Sequence, residues 1–188
     1  MENIIKKMRS FYPVSDEAIE LFASHLRREV FPAKAMLVKA GRMDRHVYFL
    51  ERGITRSFIY FDGREVTTWF CMEGDGTCGA LSLFRHEPCF ENVETLEETE
   101  AYIISVDELD ALYRRHIDLA NWMRVMQQEH FLWLYDTHIA RLNLSAKARY
   151  EKLMKEYPGI FSRAQLGYIA SFLGLTQQSL SRIRAGRG

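Results

Sequence analysis

The sequence predicts an α+β chain: a β-rich N-terminal part, one long helix and a C-terminal helix-turn-helix. Three observations carry this reading. Between Arg28 and Ser105, short runs rich in Val, Ile, Phe, Tyr, Trp and Thr are cut by Gly and Pro. From about Ile117 to Leu142 there is no Gly or Pro, and apolar residues return at spacings of four and three. From Leu166 to Ala185, two short helical patterns flank a single glycine.

Taken in order, Ser15-Asp16-Glu17 opens a short helix. Ser15 is the expected N-cap, with Ile19, Leu21, Phe22 and Leu26 on the apolar positions. The strand runs are AMLVKA, HVYFLERG, ITRSFIYF, EVTTWFCM and EAYIIS, and Asp62-Gly63 between two of them is a hairpin signal. Short strands at such regular spacing suggest an antiparallel sandwich or barrel. Ser105 with Glu108 resembles a capping box opening another helix.

In the long helix, Leu119, Met123, Met126, His130, Trp133, Thr137 and Ala140 repeat as a coiled-coil seam. Trp122, Phe131 and Leu134 lie off it and need a second burial surface. One face is expected to pack on the β domain and the seam Leu119, Met123, Met126, His130, Trp133 and Thr137 on a second copy, giving a homodimer. The next helix runs from Ala146 to Tyr157 and stops at Pro158-Gly159. The expected organisation is 1–116 for sensing, 117–142 for dimerisation and 143–188 for the helix-turn-helix.

That last unit is the most informative. Gly174 suits a positive φ between the two helices, Thr176 an N-cap, and Ala170 the close crossing. The second helix presents Thr176, Gln177, Gln178, Ser179, Ser181, Arg182 and Arg184 with no acid. Gln pairs with adenine, Arg with guanine and Ser with phosphate or base, so this face is expected to read duplex DNA. Lys147, Arg149, Arg163 and Arg187 are candidate phosphate contacts. Net charge is zero, yet residues 1–140 hold 16 Lys/Arg against 23 Asp/Glu, and residues 141–188 hold nine against two. A basic tail on an acidic body fits a polyanion bound through the tail alone.

Cys71, Cys78 and Cys89 lack CxxC spacing, which argues against a disulfide framework or a closed zinc site and suits reduced thiols in a cytoplasmic protein. No apolar run is long enough to span a membrane, and MENIIKKMRSF is too polar for a signal peptide. A metal enzyme of cupin type would need clustered His and carboxylate ligands. The β region offers only His46 and His86, without a His-x-His pair.

AGRMDRHVYFLERG (40–53), EGDGTCGALSLF (73–84) and IASFLGLTQQSLSRIR (169–184), in this order, resemble the Crp/Fnr family of the cyclic-AMP receptor protein and the fumarate-nitrate reduction regulator. The resemblance covers nearly the whole chain. It implies a double-stranded β-helix, the cyclic-nucleotide-binding type of jelly roll, before the long dimerisation helix and the helix-turn-helix. It also implies a cytoplasmic transcriptional regulator that is not an enzyme, with duplex DNA, a second copy, a small-molecule effector and RNA polymerase as partners.

Members that bind cyclic nucleotide carry Gly-Glu-Leu and then Arg-Ser or Arg-Thr. This chain has Gly79-Ala80-Leu81, with Cys89 and Phe90 where the pair should be. Both the ribose-binding carboxylate and the phosphate-binding arginine are therefore missing, and Arg85 serves only in a shifted alignment. The expected effector is not cyclic AMP, and the expected pocket is Gly79, Ala80, Leu81, Cys89, Phe90 and Val93 with Met126 and His130. Three cysteines fall short of an iron–sulfur cluster, and His25, His46, His86 and His130 are not grouped for haem, so no cofactor is expected. A small β wing follows the reading helix in many relatives. Here the sequence stops at Arg187-Gly188, so weaker backbone contacts are expected. The alternative reading is a sensor of this fold that acts through a protein partner without DNA.

Overall fold

The structure, a computed structural model, describes residues 1–186. Arg187, one of the candidate phosphate contacts, lies outside them. Helix α1 (Glu2–Phe11) was not foreseen; it buries Ile4 and Met8, one turn apart. Helix α2 (Asp16–Ser24) starts where Ser15 Oγ accepts the Ala18 N–H, with Asp16 and Glu17 in the first turn.

Eight strands follow: β1 (Arg27–Phe31), β2 (Met36–Val38), β3 (His46–Arg52), β4 (Thr55–Phe61), β5 (Arg64–Cys71), β6 (Gly76–Cys78), β7 (Asn92–Thr95) and β8 (Thr99–Ser105). A short helix α3 (Ala80–Arg85) lies between β6 and β7. The strands form two four-stranded antiparallel sheets, ordered β1-β8-β3-β6 and β2-β7-β4-β5. The β4–β5 hairpin turns at Asp62 (φ 50°) and Gly63 (φ 72°), the left-handed pair that matches strand twist.

Strand β3 shows why its sequence reads as one apolar run. Tyr48 and Leu50 enter a core between the sheets with Val38, Cys71, Val93 and Ile103. Val47 and Phe49 point the other way, into a helical core with Phe22, Leu109, Leu119 and Trp122. A strand covered on both faces has no polar side to show.

Helix α4 (Val106–Arg115) opens on the reciprocal capping box of Ser105 and Glu108. Helix α5 (Ile117–Asn143) is the long one. Beyond it lie α6 (Ala146–Glu156), the short α7 (Ile160–Arg163), α8 (Leu166–Phe172) and α9 (Gln177–Arg184). Their core joins Leu153, Ile160, Ile169, Ala170, Leu173 and Leu180 to Ile54 and Phe70 of the β domain. The helix-turn-helix is thus packed on its own sensor. No helix among the described residues is long and apolar enough to cross a membrane.

Candidate functional site

The segment from β6 through α3 to β7 forms a tight cassette. Gly79 and Cys89 meet there so closely that a Cβ on Gly79 would fall within the Cys89 sulfur. Ser82 Oγ donates to the Glu87 carbonyl at 2.9 Å and sits 2.9 Å from Cys89 Sγ. The first amide of α3 is already satisfied. Glu91 Oε1 accepts the Ala80 N–H at 2.9 Å. A carboxylate of the chain itself thus holds the amide beside Gly79, in the segment that matches the family's Gly-Glu-Leu. Arg85 is exposed at the far end of α3, away from the cavity wall.

Beside the cassette is a cavity of about 460 Å³ between β3, β5, β6, α3 and α5. Of the expected pocket residues, Ala80, Phe90, Met126 and His130 line it. Cys89 and Val93 are instead buried in the inter-sheet core, Gly79 is consumed by its contact with Cys89, and Leu81 lies outside the wall. In the loop before β7, Cys89 is buried against Gly79 and Phe90 is exposed. The wall also includes Val47, Phe49, Trp69 and Met123, which sequence reasoning did not assign because they sit on elements distant in the chain. Among the described residues it contains one carboxylate, Glu91, and no Lys or Arg. Burial holds the His130 imidazolium below its ordinary pKa of 6.5, with Lys7 adding to the effect and Asp75 opposing it. Cys71 and Cys78 are also on the wall. Burial raises both thiols, Cys78 to about 12, which favours the protonated form.

The seam expected to meet a partner faces its own chain. Leu119 is fully buried in the helical core, and Met123 and Met126 pack against that core. His130 lies edge-on to Phe11 and Trp69. Trp133 is 4.1 Å from the Trp69 ring and stacks on Phe172 of α8, while Thr137 and Ala140 border the α5–α6 groove. The physical reason is that α5 crosses both the β domain and the helix-turn-helix, which together take its best-packed stripe. A second stripe is left outside: Phe131, Leu132, Leu134, Tyr135 and Leu142 are each more than half exposed.

The helix-turn-helix closes as its residues dictate. Gly174 has φ 68°, the left-handed end that stops α8, and the Leu175 N–H returns to the Ala170 carbonyl at 2.8 Å. Thr176 Oγ1 accepts the Ser179 N–H at 3.1 Å and lies 2.9 Å from Ser179 Oγ. These two side chains are therefore occupied in capping α9. Arg184 sits over the Phe161 ring at 5.2 Å. Gln177, Gln178, Ser181 and Arg182 are exposed, and α9 carries no acid in its first turn.

Two arginines, Arg163 with a different expected role and Arg56 with none, fasten this unit to the sensor. Arg163 donates to Glu73 at 2.6 and 3.1 Å and to Glu97 at 2.5 and 3.3 Å. It is thus held by carboxylates and is not free for phosphate, contrary to expectation. Arg56, 1% exposed, donates to Glu94 at 2.9 Å and to Glu65 at 2.5 Å. Its guanidinium lies 3.5 Å from the centre of the Tyr168 ring of α8 and 4.2 Å from that of Phe58. Ser171 Oγ completes the joint, accepting the Thr67 N–H at 3.1 Å and lying 2.9 Å from Thr67 Oγ1. Lys147 is exposed, whereas Arg149 is half-buried with its Nε unpartnered.

Residues 28–116 match the cyclic nucleotide-binding domain family. No curated protein sequence matches the chain. Among solved structures it is similar to FixK2 from Bradyrhizobium japonicum (TM-score 0.75, 16% identity, 86% of this chain and 83% of that one). It is also similar to the c-di-GMP responsive global regulator CLP of Xanthomonas campestris (0.72, 16%, 92% and 91%). A third is a transcriptional regulator assigned to the crp/fnr family from Eubacterium rectale (0.69, 17%, 94% and 87%).

Proposed function

We propose that this chain, which has the fold of the Crp/Fnr regulators and a cyclic nucleotide-binding domain at residues 28–116, is a dimeric, sequence-specific DNA-binding transcriptional regulator. The observation that carries the reading is α9: a capped helix with Gln177, Gln178, Ser181 and Arg182 exposed together and no opposing acid. Arg182 is suited to guanine and the two glutamines to adenine. Dimerisation rests on the outer stripe of α5 (Phe131, Leu132, Tyr135, Leu142) rather than on the seam with Leu119 and Trp133. Pairing there would set two reading helices about one DNA turn apart, roughly 34 Å, on a palindrome. The protein acts in the cytoplasm and performs no catalysis.

The effector is not cyclic AMP. Among the described residues the cavity wall has no arginine or lysine to neutralise a phosphate, and Glu91 occupies the Ala80 N–H. An anion brought there would be desolvated beside a like charge.

Selection of bound sequences from random duplex DNA by the purified protein tests the reading. The expected product is a palindrome whose binding weakens steeply between two salt concentrations. Arg182→Ala should cost about 1–3 kcal/mol on that site and blur one position of it. No enrichment, or an Arg182→Ala protein that binds like the parent, would refute the assignment.

A further inference from the structure

Resting on that reading of the β domain as a sensor, we infer that the cavity between β5, β6, α3 and α5 binds an uncharged, largely apolar small molecule carrying a single hydrogen-bonding group. Its 460 Å³ lies within the range of small-molecule sites. Val47, Phe49, Trp69, Met123 and Met126 form its walls, so the body of a ligand must be apolar to gain from entry. His130, on the same wall, is half-buried and makes no hydrogen bond among the described residues. A ligand donor or acceptor would satisfy it. Glu91 and the absence of any Lys or Arg exclude anions. Glu91 Oε1 accepts the Ala80 N–H at the start of α3, and the pull of its remaining charge on a cation is read by the cationic competitor below.

The cavity also has a route out. Trp69 lines it and touches Trp133, which stacks on Phe172 of the helix-turn-helix. A ligand that seats differently against Trp69 in two arrangements of α5 would bias the placement of the reading helices. The coupling therefore runs through packed rings that absorb and emit, which makes it observable.

The test uses the full chain and two fluorophores with the same rings: neutral N-phenyl-1-naphthylamine and its anionic counterpart, 1-anilinonaphthalene-8-sulfonate. The neutral probe should bind saturably at one site per chain, change tryptophan emission, and resist competition by cyclic AMP and by phenyltrimethylammonium. The sulfonate should bind about 100-fold more weakly, the factor expected for a like charge some 5–6 Å away at intermediate dielectric. Met126→Trp, which fills the cavity, and Ala80→Trp, which blocks its exposed rim without disturbing the core, should each weaken the neutral probe at least about tenfold. Met36→Trp, on β2 away from the wall, should not. Equal binding of the two fluorophores, displacement by either charged competitor, or full binding by both Trp variants would overturn the inference. A gel shift in parallel separates the two readings: DNA binding that persists while the probe fails removes only the ligand class.

Discussion

Replacing Arg163 by Met should loosen the helix-turn-helix from the sensor while leaving both folded. Arg163 makes four charge-assisted hydrogen bonds to Glu73 and Glu97, and its side chain is 24% exposed. Bonds to charged groups contribute roughly 1.5–3 kcal/mol each when buried, but exposed ion pairs contribute about 0–1 kcal/mol. A clamp of intermediate exposure, whose loss also leaves two neighbouring carboxylates unneutralised, should be worth about 2–3 kcal/mol in total. For a chain of this size that lowers Tm by roughly 4–12 °C. The assay is a double-mutant cycle of Arg163→Met with Glu97→Gln, read by calorimetry. Hydrogen exchange at Thr67, whose N–H is held by Ser171 Oγ across the same joint, gives a local readout. The expected coupling is about 1–2 kcal/mol, with faster exchange at Thr67 in the single variant. Coupling below about 0.5 kcal/mol with unchanged exchange would show that the clamp bears no load and that apolar packing of Phe70 on Phe172 alone holds the joint.

Gly79→Ala should destabilise the chain by about 1–3 kcal/mol through collision with Cys89, and Cys89→Ala in the same protein should recover most of that loss, both read as a shift in denaturation midpoint. The pH dependence should have two steps. His130 has a lowered pKa, so the unfolded state binds its proton first and stability falls as pH drops below the ordinary 6.5; His130→Gln should flatten that step in pH-resolved unfolding. Burial pushes the Glu73 carboxyl up, but hydrogen bonds from Arg163 and the Gly53 N–H more than offset this and hold it low. Its contribution is therefore complete above the ordinary 4.5 and lost as pH falls further, a step that Arg163→Met should shrink. Tyr135→Glu, on the outer stripe of α5, should yield a monomer by ultracentrifugation without lowering helix content, whereas a dimer that survives would return the interface to another face.

Much of the fold is legible because its signals are local. Thr176 and Gly174 state the helix-turn-helix, Ser105 and Glu108 the start of α4, and Asp62-Gly63 the β4–β5 hairpin. Strands β6 and β7, at three and four residues, carry too few side chains for a period to show. Strand β1 reads as RREVF, and its charges belong to pairs such as Arg28–Glu100 across to β8, which no local pattern reports. Helix α5 misled for a different reason. It carries apolar residues on nearly every side, because one stripe meets the β domain and the helix-turn-helix and another lies open. Periodicity finds both stripes and cannot say which one the chain keeps for itself.

The site was half legible for the same reason. An absence is visible in sequence: no carboxylate at Ala80 and no cation at Cys89 or Phe90. What fills an absence is not. Glu91 reads as one more acid in an acidic run, yet in the fold its Oε1 takes the Ala80 N–H. Arg56 reads as a charge on a strand, yet it is buried between Phe58 and Tyr168 with two carboxylates on its nitrogens. Both follow one physical rule. A buried polar group without a partner is costly, and the chain supplies most of the partners here, although Arg56 Nη1 keeps none among the described residues. The cassette keeps Gly79 in close contact with Cys89, and its own Glu91 takes the Ala80 N–H. That bond ties down the one acid on the cavity wall, beside a lining that is mostly apolar.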